Sequence, residues 1–136
     1  MTYRISEYPT KFLNKKHEID KEIARAFKVW SDVTPLTFEV KKEGRVHIDI
    51  RFVSGEHGDG DPFDGPGNTL AHAYFPQYGG DAHFDNEEYW TLSSYAGMII
   101  MHDSCLNSHN IIVHEKVKNN FFEKVFLKSS EIKGFE

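Results

Sequence analysis

The chain has 136 residues, of which 39% are hydrophobic and 14% aromatic, and its formal net charge is −5. That is one domain at most, with enough apolar material for a single core, which excludes a wholly disordered chain. The acidic excess sits in one stretch rather than opposite a basic face, which argues against a nucleic-acid partner, and no apolar run is long enough to cross a membrane. The opening MTYRISEYPT lacks the basic-then-apolar pattern of a signal peptide, so the chain is expected to be either cytosolic or a piece of a longer secreted one. A single cysteine, Cys105, excludes an intramolecular disulfide and says little about compartment.

In chain order, TYRI near the start alternates as a short strand. From Asn14 to Ser31 the pattern is helical: Ile19, Ile23, Ala26, Phe27 and Trp30 share one face, with charged residues opposite. Asn14 is the expected N-cap, and Thr34-Pro35 closes the helix because a residue before proline avoids the α region. Thr37–Val40 reads as a strand, Glu43-Gly44 as a turn, and Val46–Phe52, with its strict alternation, as the clearest strand of the chain. A glycine- and acid-rich stretch follows, interrupted by two short β-like pieces, Thr69–Phe75 and Ala82–Phe84. After Trp90 the character changes. From Tyr95 onward there are five acids, five lysines and no proline, and Val113, Val117, Phe121 and Val125 recur every fourth residue, as on an amphipathic helix.

The stretch Gly55–Trp90 holds eight carboxylates, three histidines and seven glycines, but no Lys or Arg. Crowded carboxylates raise one another's pKa unless something positive lies among them. Divalent cations supply that charge: His with Asp suits zinc, while Asp, Glu and backbone carbonyls suit calcium. His57-Gly58-Asp59 puts two donors on one loop, and His72 and His83 each sit in an Ala-His-aromatic context on a strand. Three His and one Asp make a closed tetrahedral zinc site with metal–ligand distances of about 2.0–2.2 Å, structural rather than catalytic because no position is left for water. Ordinary loop histidines are the alternative for any one of them. The run Asp61-Pro62-Phe63-Asp64-Gly65-Pro66-Gly67-Asn68-Thr69 suits a calcium loop. Its glycines let successive carbonyls turn inward, Asp64, Asp85 and Glu88 can give carboxylates, and Gly65, Gly67 and Thr69 can give carbonyls. The alternative is a plain acidic surface loop.

GEHGDGDPFDGPGNTLAHAYFP followed by GGDAHFDNEEYW resembles the catalytic domain of the matrix metalloproteinases, or matrixins, a branch of the zincins. TYRI, AFKVWSDVTPLTF and HIDIRFVSGEH match in order and spacing, so the resemblance covers about residues 2–92. It implies an α+β fold, a twisted five-stranded mixed sheet packed on helices. It also implies a structural zinc at His57, Asp59, His72 and His83, and a structural calcium at Asp64, Gly65, Gly67, Thr69, Asp85 and Glu88. In the family the strand carrying Leu70 and Ala71 lines the cleft and pairs with an extended peptide substrate. A second calcium would use Gly79 and Asp81, but His47 stands where the family has an Asp and Gln77 where it has a glycine, so this is the weakest of the ion expectations. Secretion, and extracellular-matrix or secreted proteins as substrates, are implied by the same resemblance.

The family cuts peptides with a second zinc held by a helix reading H-E-x-x-H-x-x-G-x-x-H. The candidate here is Val113–Lys124, where His114 and Glu115 fit, but Lys118, Phe121 and Lys124 replace the second His, the glycine and the third His. One His cannot hold that zinc, and a lysine beside it repels a cation. His102 and His109 do not complete the set, and Cys105 lies in no cysteine-switch motif. No catalytic residue is therefore assigned. The expected organisation is residues 1–92 as the N-terminal part of a metallopeptidase domain and residues 93–136 as a divergent tail that replaces or truncates the catalytic helix. The leading expectation is a metalloendopeptidase domain inactive as written. The other readings are a catalytically dead peptide-binding module stabilised by metal, and a chain that does not fold stably alone.

Overall fold

A computed structural model describes residues 1–75, 78–93, 98–101 and 117–118. The central strand is β3 (Ile48–Val53), which alternates Ile48, Ile50 and Phe52 into the core with Asp49 and Arg51 outward. The first strand, β1 (Thr2–Glu7), runs parallel to β3, pairing Tyr3 with Ile48 and Ile5 with Ile50 before a bulge at Ile5–Glu7. A two-residue strand, β2 (Glu39–Val40), flanks β1, also in parallel. On the far side β5 (Ala82–Asp85) lies parallel to β3, and β4 (Ala71–Ala73) lies antiparallel to β5. Two residues from the far end of the chain, β8 (Val117–Lys118), pair in parallel with the outer side of β4, giving the order β2-β1-β3-β5-β4-β8. The mixed sheet of the resemblance is therefore present, with one short strand added. A separate hairpin joins β6 (Trp90–Ser93) to β7 (Met98–Met101).

Helix α1 (Lys16–Val33) follows a 3-10 segment over Thr10–Lys15. Ile19 and Phe27 are buried, and Ile23 and Trp30 pack partly against the core, as the apolar stripe predicts. Phe27 lies 4.4 Å from Tyr3 and 4.7 Å from Phe38, ring centre to ring centre, which ties the helix to β1 and to the segment before β2. Several boundaries differ from the sequence reading, among them the piece expected over Thr69–Phe75, which pairs as strand only over Ala71–Ala73. Asn14 falls inside the 3-10 segment and Lys15 occupies the cap with no side-chain bond, because the chain is already turning at Thr10. The strand expected over Thr37–Val40 is reduced to its last two residues, where the pairing with Thr2 and Tyr3 begins. β3 begins at Ile48 rather than Val46. Val117, placed by periodicity on a helix, is paired as strand, since a tertiary partner overrides a weak local pattern. The rest of that helix, with His102, Cys105, His109, His114, Glu115, Phe121 and Lys124, lies outside the described residues, as does Gln77. Thr34 does end the helix, in an extended conformation, with its N–H on the Trp30 carbonyl.

The two faces of β4 and β5 matter most for function. Ala71, Ala73 and Ala82 face the core with Phe52 and Trp90, and Phe84 packs on that cluster from the same side. His72 and His83 alternate to the opposite face and sit directly across from each other in the register. Trp90 closes the core edge-on to Phe52 and Phe84, and its indole N–H donates to the Asp85 carbonyl at 2.6 Å.

Candidate metal centre

The loop after β3 folds back over the histidine face. Phe63 N–H donates to the Gly55 carbonyl at 3.0 Å, and the Phe63 ring stacks on His57 and His72 at 5.0 and 4.6 Å. Gly55, Gly58 and Gly60 all have positive φ, which lets this short loop reverse so sharply. The result brings together the four residues expected from the sequence as zinc ligands. His57 Nε2, His72 Nε2 and His83 Nδ1 lie 3.1–3.2 Å from one another. Asp59 Oδ2 lies 2.8–2.9 Å from all three. Six nearly equal edges describe a tetrahedron, and donors around a tetrahedral zinc stand about 3.3 Å apart for bonds of about 2.0 Å. The group is the one cluster among the described residues that could hold a metal ion in this way.

Protons cannot bridge every edge of this arrangement, because each ring nitrogen carries at most one. His57 Nδ1 lies 2.8 Å from the Gly55 carbonyl, which only accepts, so Nδ1 carries a proton and Nε2 is the atom turned to the cluster. His72 Nδ1 lies 3.8 Å from Asp61 Oδ2, beyond hydrogen-bond reach, and is buried with no hydrogen-bond partner. The ring nitrogens of three histidines and a carboxylate oxygen converge on one point. Burial lowers the pKa of both His72 and His83, ahead of the opposing pull of Asp59, and so keeps them neutral and able to ligate. Burial pushes the Asp59 carboxyl up, but hydrogen bonds from the Asp61 amide, His72, His83 and Tyr74 outweigh it and hold the group well below the usual carboxylate range. The donor set therefore fits a divalent metal. It is closed, with no fifth position offered by a described side chain.

The residues of the expected calcium site also gather. Asp85 is fully buried and Glu88 is 1% exposed, with no Lys or Arg in the surrounding stretch. Glu88 Oε1 accepts from the Gly67 amide at 2.7 Å, Asp64 Oδ1 from Thr69 N–H at 3.3 Å, and Asp85 Oδ1 from Glu87 N–H at 2.9 Å. Asp85 Oδ2 has no hydrogen-bond partner. Burial first, then neighbouring carboxylates, raises the pKa of Asp85 and of Glu88, as expected where acids crowd without a cation. Gly65 and Gly67 have positive φ, and Asn68 between them is at φ 52°.

Gly79 and Asp81 are placed less favourably for a second ion. His47 Nδ1 is taken up by Thr2, whose amide donates at 3.0 Å and whose hydroxyl lies at 2.8 Å. The positive charge near Asp81 is that of Arg4, which also binds Asp49 at 2.7 Å. Leu70 and Ala71 do lie at the sheet margin, but Val117 pairs there with Ala71 and Lys118 with His72. Sequence reasoning missed Tyr74, whose ring lies 5.7 Å from His72 and 6.1 Å from His83, centre to centre. It stands two residues beyond His72 on an alternating run, and that spacing was the available signal.

A mixed sheet with one antiparallel edge strand, a long helix on its apolar face and a His₃Asp cage on the other defines a zincin-type α+β domain. The profile of the matrixin peptidases matches residues 1–118, and the chain belongs to that family. Over 93 residues it is 50% identical to interstitial collagenase of Bos taurus and 53% identical to stromelysin-1 of Mus musculus, covering 67% of this chain in each case. Over 99 residues it is 48% identical to stromelysin-3 of Homo sapiens, covering 71% of this chain. These matches span only about a fifth of each relative.

Proposed function

We propose that this chain is the ion-stabilised, substrate-flanking part of a matrixin metalloendopeptidase domain, and that as written it does not cleave peptides. Zinc would be held by His57, Asp59, His72 and His83. Calcium would be held by Asp64, Asp85 and Glu88 with the carbonyls of Gly65, Gly67 and Thr69. The observation that carries the zinc assignment is the set of six 2.8–3.2 Å edges between three imidazoles and one carboxylate. When bound, such an ion supplies positive charge that joins the loop to the sheet. The chain's own residues do the rest: Gly55 fixes the His57 tautomer, and Phe63 covers the cage from solvent.

Inactivity follows from the sequence. No H-E-x-x-H occurs in the 136 residues; both His-Glu pairs, His17-Glu18 and His114-Glu115, have lysine at the fifth place, Lys21 and Lys118. The division into residues 1–92 and a divergent segment 93–136 belongs to the same proposal, as do a secreted setting and protein substrates for the family activity. The decisive experiment measures metal content and turnover together. Purified protein should carry about one zinc per chain and leave a fluorogenic collagen-type peptide intact with zinc and calcium present. Hydroxamate-sensitive cleavage would overturn inactivity, and zinc-free folded protein would overturn the site. The second reading, a peptide-binding module using Leu70 and Ala71, is disfavoured by β8, which occupies that edge. It requires an added peptide to displace Val117–Lys118.

A further inference from the structure

We propose that Glu7 is a positioning residue for the zinc cage: it holds the Arg51 guanidinium on the β1 side of the sheet and cancels the charge that Arg51 would otherwise present to the bound ion. The proposal rests on the zinc reading above and extends it to a pair of residues outside the four ligands. The pair belongs to a row that crosses the sheet. Glu7 is in register with Arg51, Arg51 with His83, and His83 with His72, so the neighbouring strands β1, β3, β5 and β4 each give one residue. Residues in register on paired strands share a face. Here it is the face away from the core, because Ile50 and Phe52 on either side of Arg51 are buried in the apolar cluster. Arg51 thus stands one strand spacing, about 4.8 Å, from the backbone of His83. The ligand-bearing stretch Gly55–Trp90 contains no Lys or Arg, yet β3 lays an arginine alongside it.

The ladder is irregular at the point where the pair forms. Ile5 is opposite Ile50, but the next residue of β3, Arg51, meets Glu7 rather than Ser6. The extra residue is a bulge, a device that re-aims a side chain. In an unbulged ladder the uncharged Ser6 would stand opposite Arg51. As built, Arg51 Nε donates to Glu7 Oε1 at 2.6 Å, and Nη2 lies 2.5 Å from the same oxygen. Since β1 and β5 flank β3 on opposite sides, this contact draws the guanidinium away from His83. The Arg51 and Glu7 side chains are 31% and 47% exposed, so the pair adds little to folding stability by itself. Its effect on a nearby ion is another matter. Neutral imidazoles and one carboxylate leave a divalent ion with net positive charge, which an unopposed arginine repels. β1 lies two strand spacings, about 10 Å, from β5. A unit charge at that distance changes the affinity for a divalent ion about threefold to tenfold at low salt. Glu7 and Arg51 act with opposite sign, and together they cancel.

The test titrates zinc against a chromophoric chelator in wild type, Glu7→Gln, Arg51→Gln and the double variant, at low salt and again at about 1 M salt, with melting of each protein in metal-free form. Glu7→Gln leaves Arg51 unopposed and should weaken zinc binding about threefold to tenfold at low salt. Arg51→Gln should tighten binding by a similar factor, and the double variant should return to the wild-type affinity. At high salt, where the screening length falls to about 3 Å, all four should bind alike. Metal-free melting should scarcely move, because the pair is exposed. Arg51→Gln that weakens zinc binding as Glu7→Gln does overturns the proposal, since the pair would then act only by tying β1 to β3. Wild-type affinity in Glu7→Gln at low salt overturns it too, as does a weakening that persists undiminished at high salt. Wild type that takes up no zinc overturns the zinc reading itself, a result visible before any variant is made.

Discussion

Residues 1–53 and residues 55–90 make up one sheet but are held in different ways. The first region closes by apolar contact: Tyr3, Ile48, Ile50 and Phe52 pack under α1 through Phe27, Ile19 and Ile23. The second contributes Ala71, Ala73, Ala82 and Trp90 to that same core, and its other face is polar. There the buried polar side chains are His72, His83, Asp85 and Glu88. Burial of such groups is unfavourable unless they are paired, so the second region needs a partner the chain does not contain. Few bonds cross between the regions outside the strand pairing. Asn86 accepts from Thr10 N–H at 2.9 Å and donates its own N–H to the Val53 carbonyl at the same distance. One half is organised by the hydrophobic effect; the other, on the reading proposed above, is organised by ions.

Metal removal is the strongest way to break that contrast. Exhaustive chelation should expose the amides of residues 55–70 to hydrogen exchange while Ile48–Val53 stay protected. With zinc at a thousand times its dissociation constant, the stabilisation lost is about 4 kcal/mol. His72→Ala should reproduce the effect, lowering zinc content and melting temperature together. Uniform loss of protection across both regions would abolish the distinction. Next in size, Phe52→Ala should cost about 3–5 kcal/mol, read by denaturant melts, and the cost should be the same with or without zinc. A cost that vanishes in the metal-free protein would mean the core itself depends on the ion.

Calcium should give a smaller increment. At a hundred times its dissociation constant, one calcium adds about 2.7 kcal/mol, and Glu88→Gln should remove most of the calcium-dependent rise in melting temperature. An undiminished rise in that variant would place the ion elsewhere. The smallest effect belongs to the first region. Burial, then the hydrogen bond to Asp20 at 2.5 Å, raises the pKa of the Tyr8 phenol above its ordinary value. Because the folded value is the raised one, this stabilisation is complete below about pH 10 and is lost as the pH rises through the folded value. Tyr8→Phe should therefore flatten the alkaline end of the stability profile and leave zinc content unchanged.

Much of this was legible in the chain. The alternation of Ile48, Ile50 and Phe52, the stripe from Ile19 to Trp30 and the stop at Thr34-Pro35 follow from local periodicity and backbone sterics. The convergence of the cage residues was legible because unpaired acids and histidines at that density suit a shared cation. Less legible were the boundaries that depend on partners: the turn at Thr10 that displaces Asn14 from the cap, the late start of β3, and the pairing of Val117 and Lys118 with β4. Tyr74 was missed because an aromatic after a histidine on a strand looks like core until the register shows which face it takes.

By itself, the sequence determined the kinds of chemistry present: a core-forming helix and strand, three histidines and an aspartate suited to zinc, an acidic glycine loop suited to calcium, and no H-E-x-x-H. Those are properties of residue type and spacing, which do not depend on how the chain folds. Only the tertiary structure decided which atoms meet. The antiparallel register of β4 and β5 sets His72 opposite His83, the reversal after β3 brings in His57 and Asp59, and the Gly55 carbonyl holds His57 Nδ1 so that Nε2 is turned to the cluster. Convergence of four donors to 2.8–3.2 Å joins residues as far apart as His57 and His83. A long-range arrangement of that kind depends on strand pairing and loop closure, neither of which is encoded in a short window of sequence.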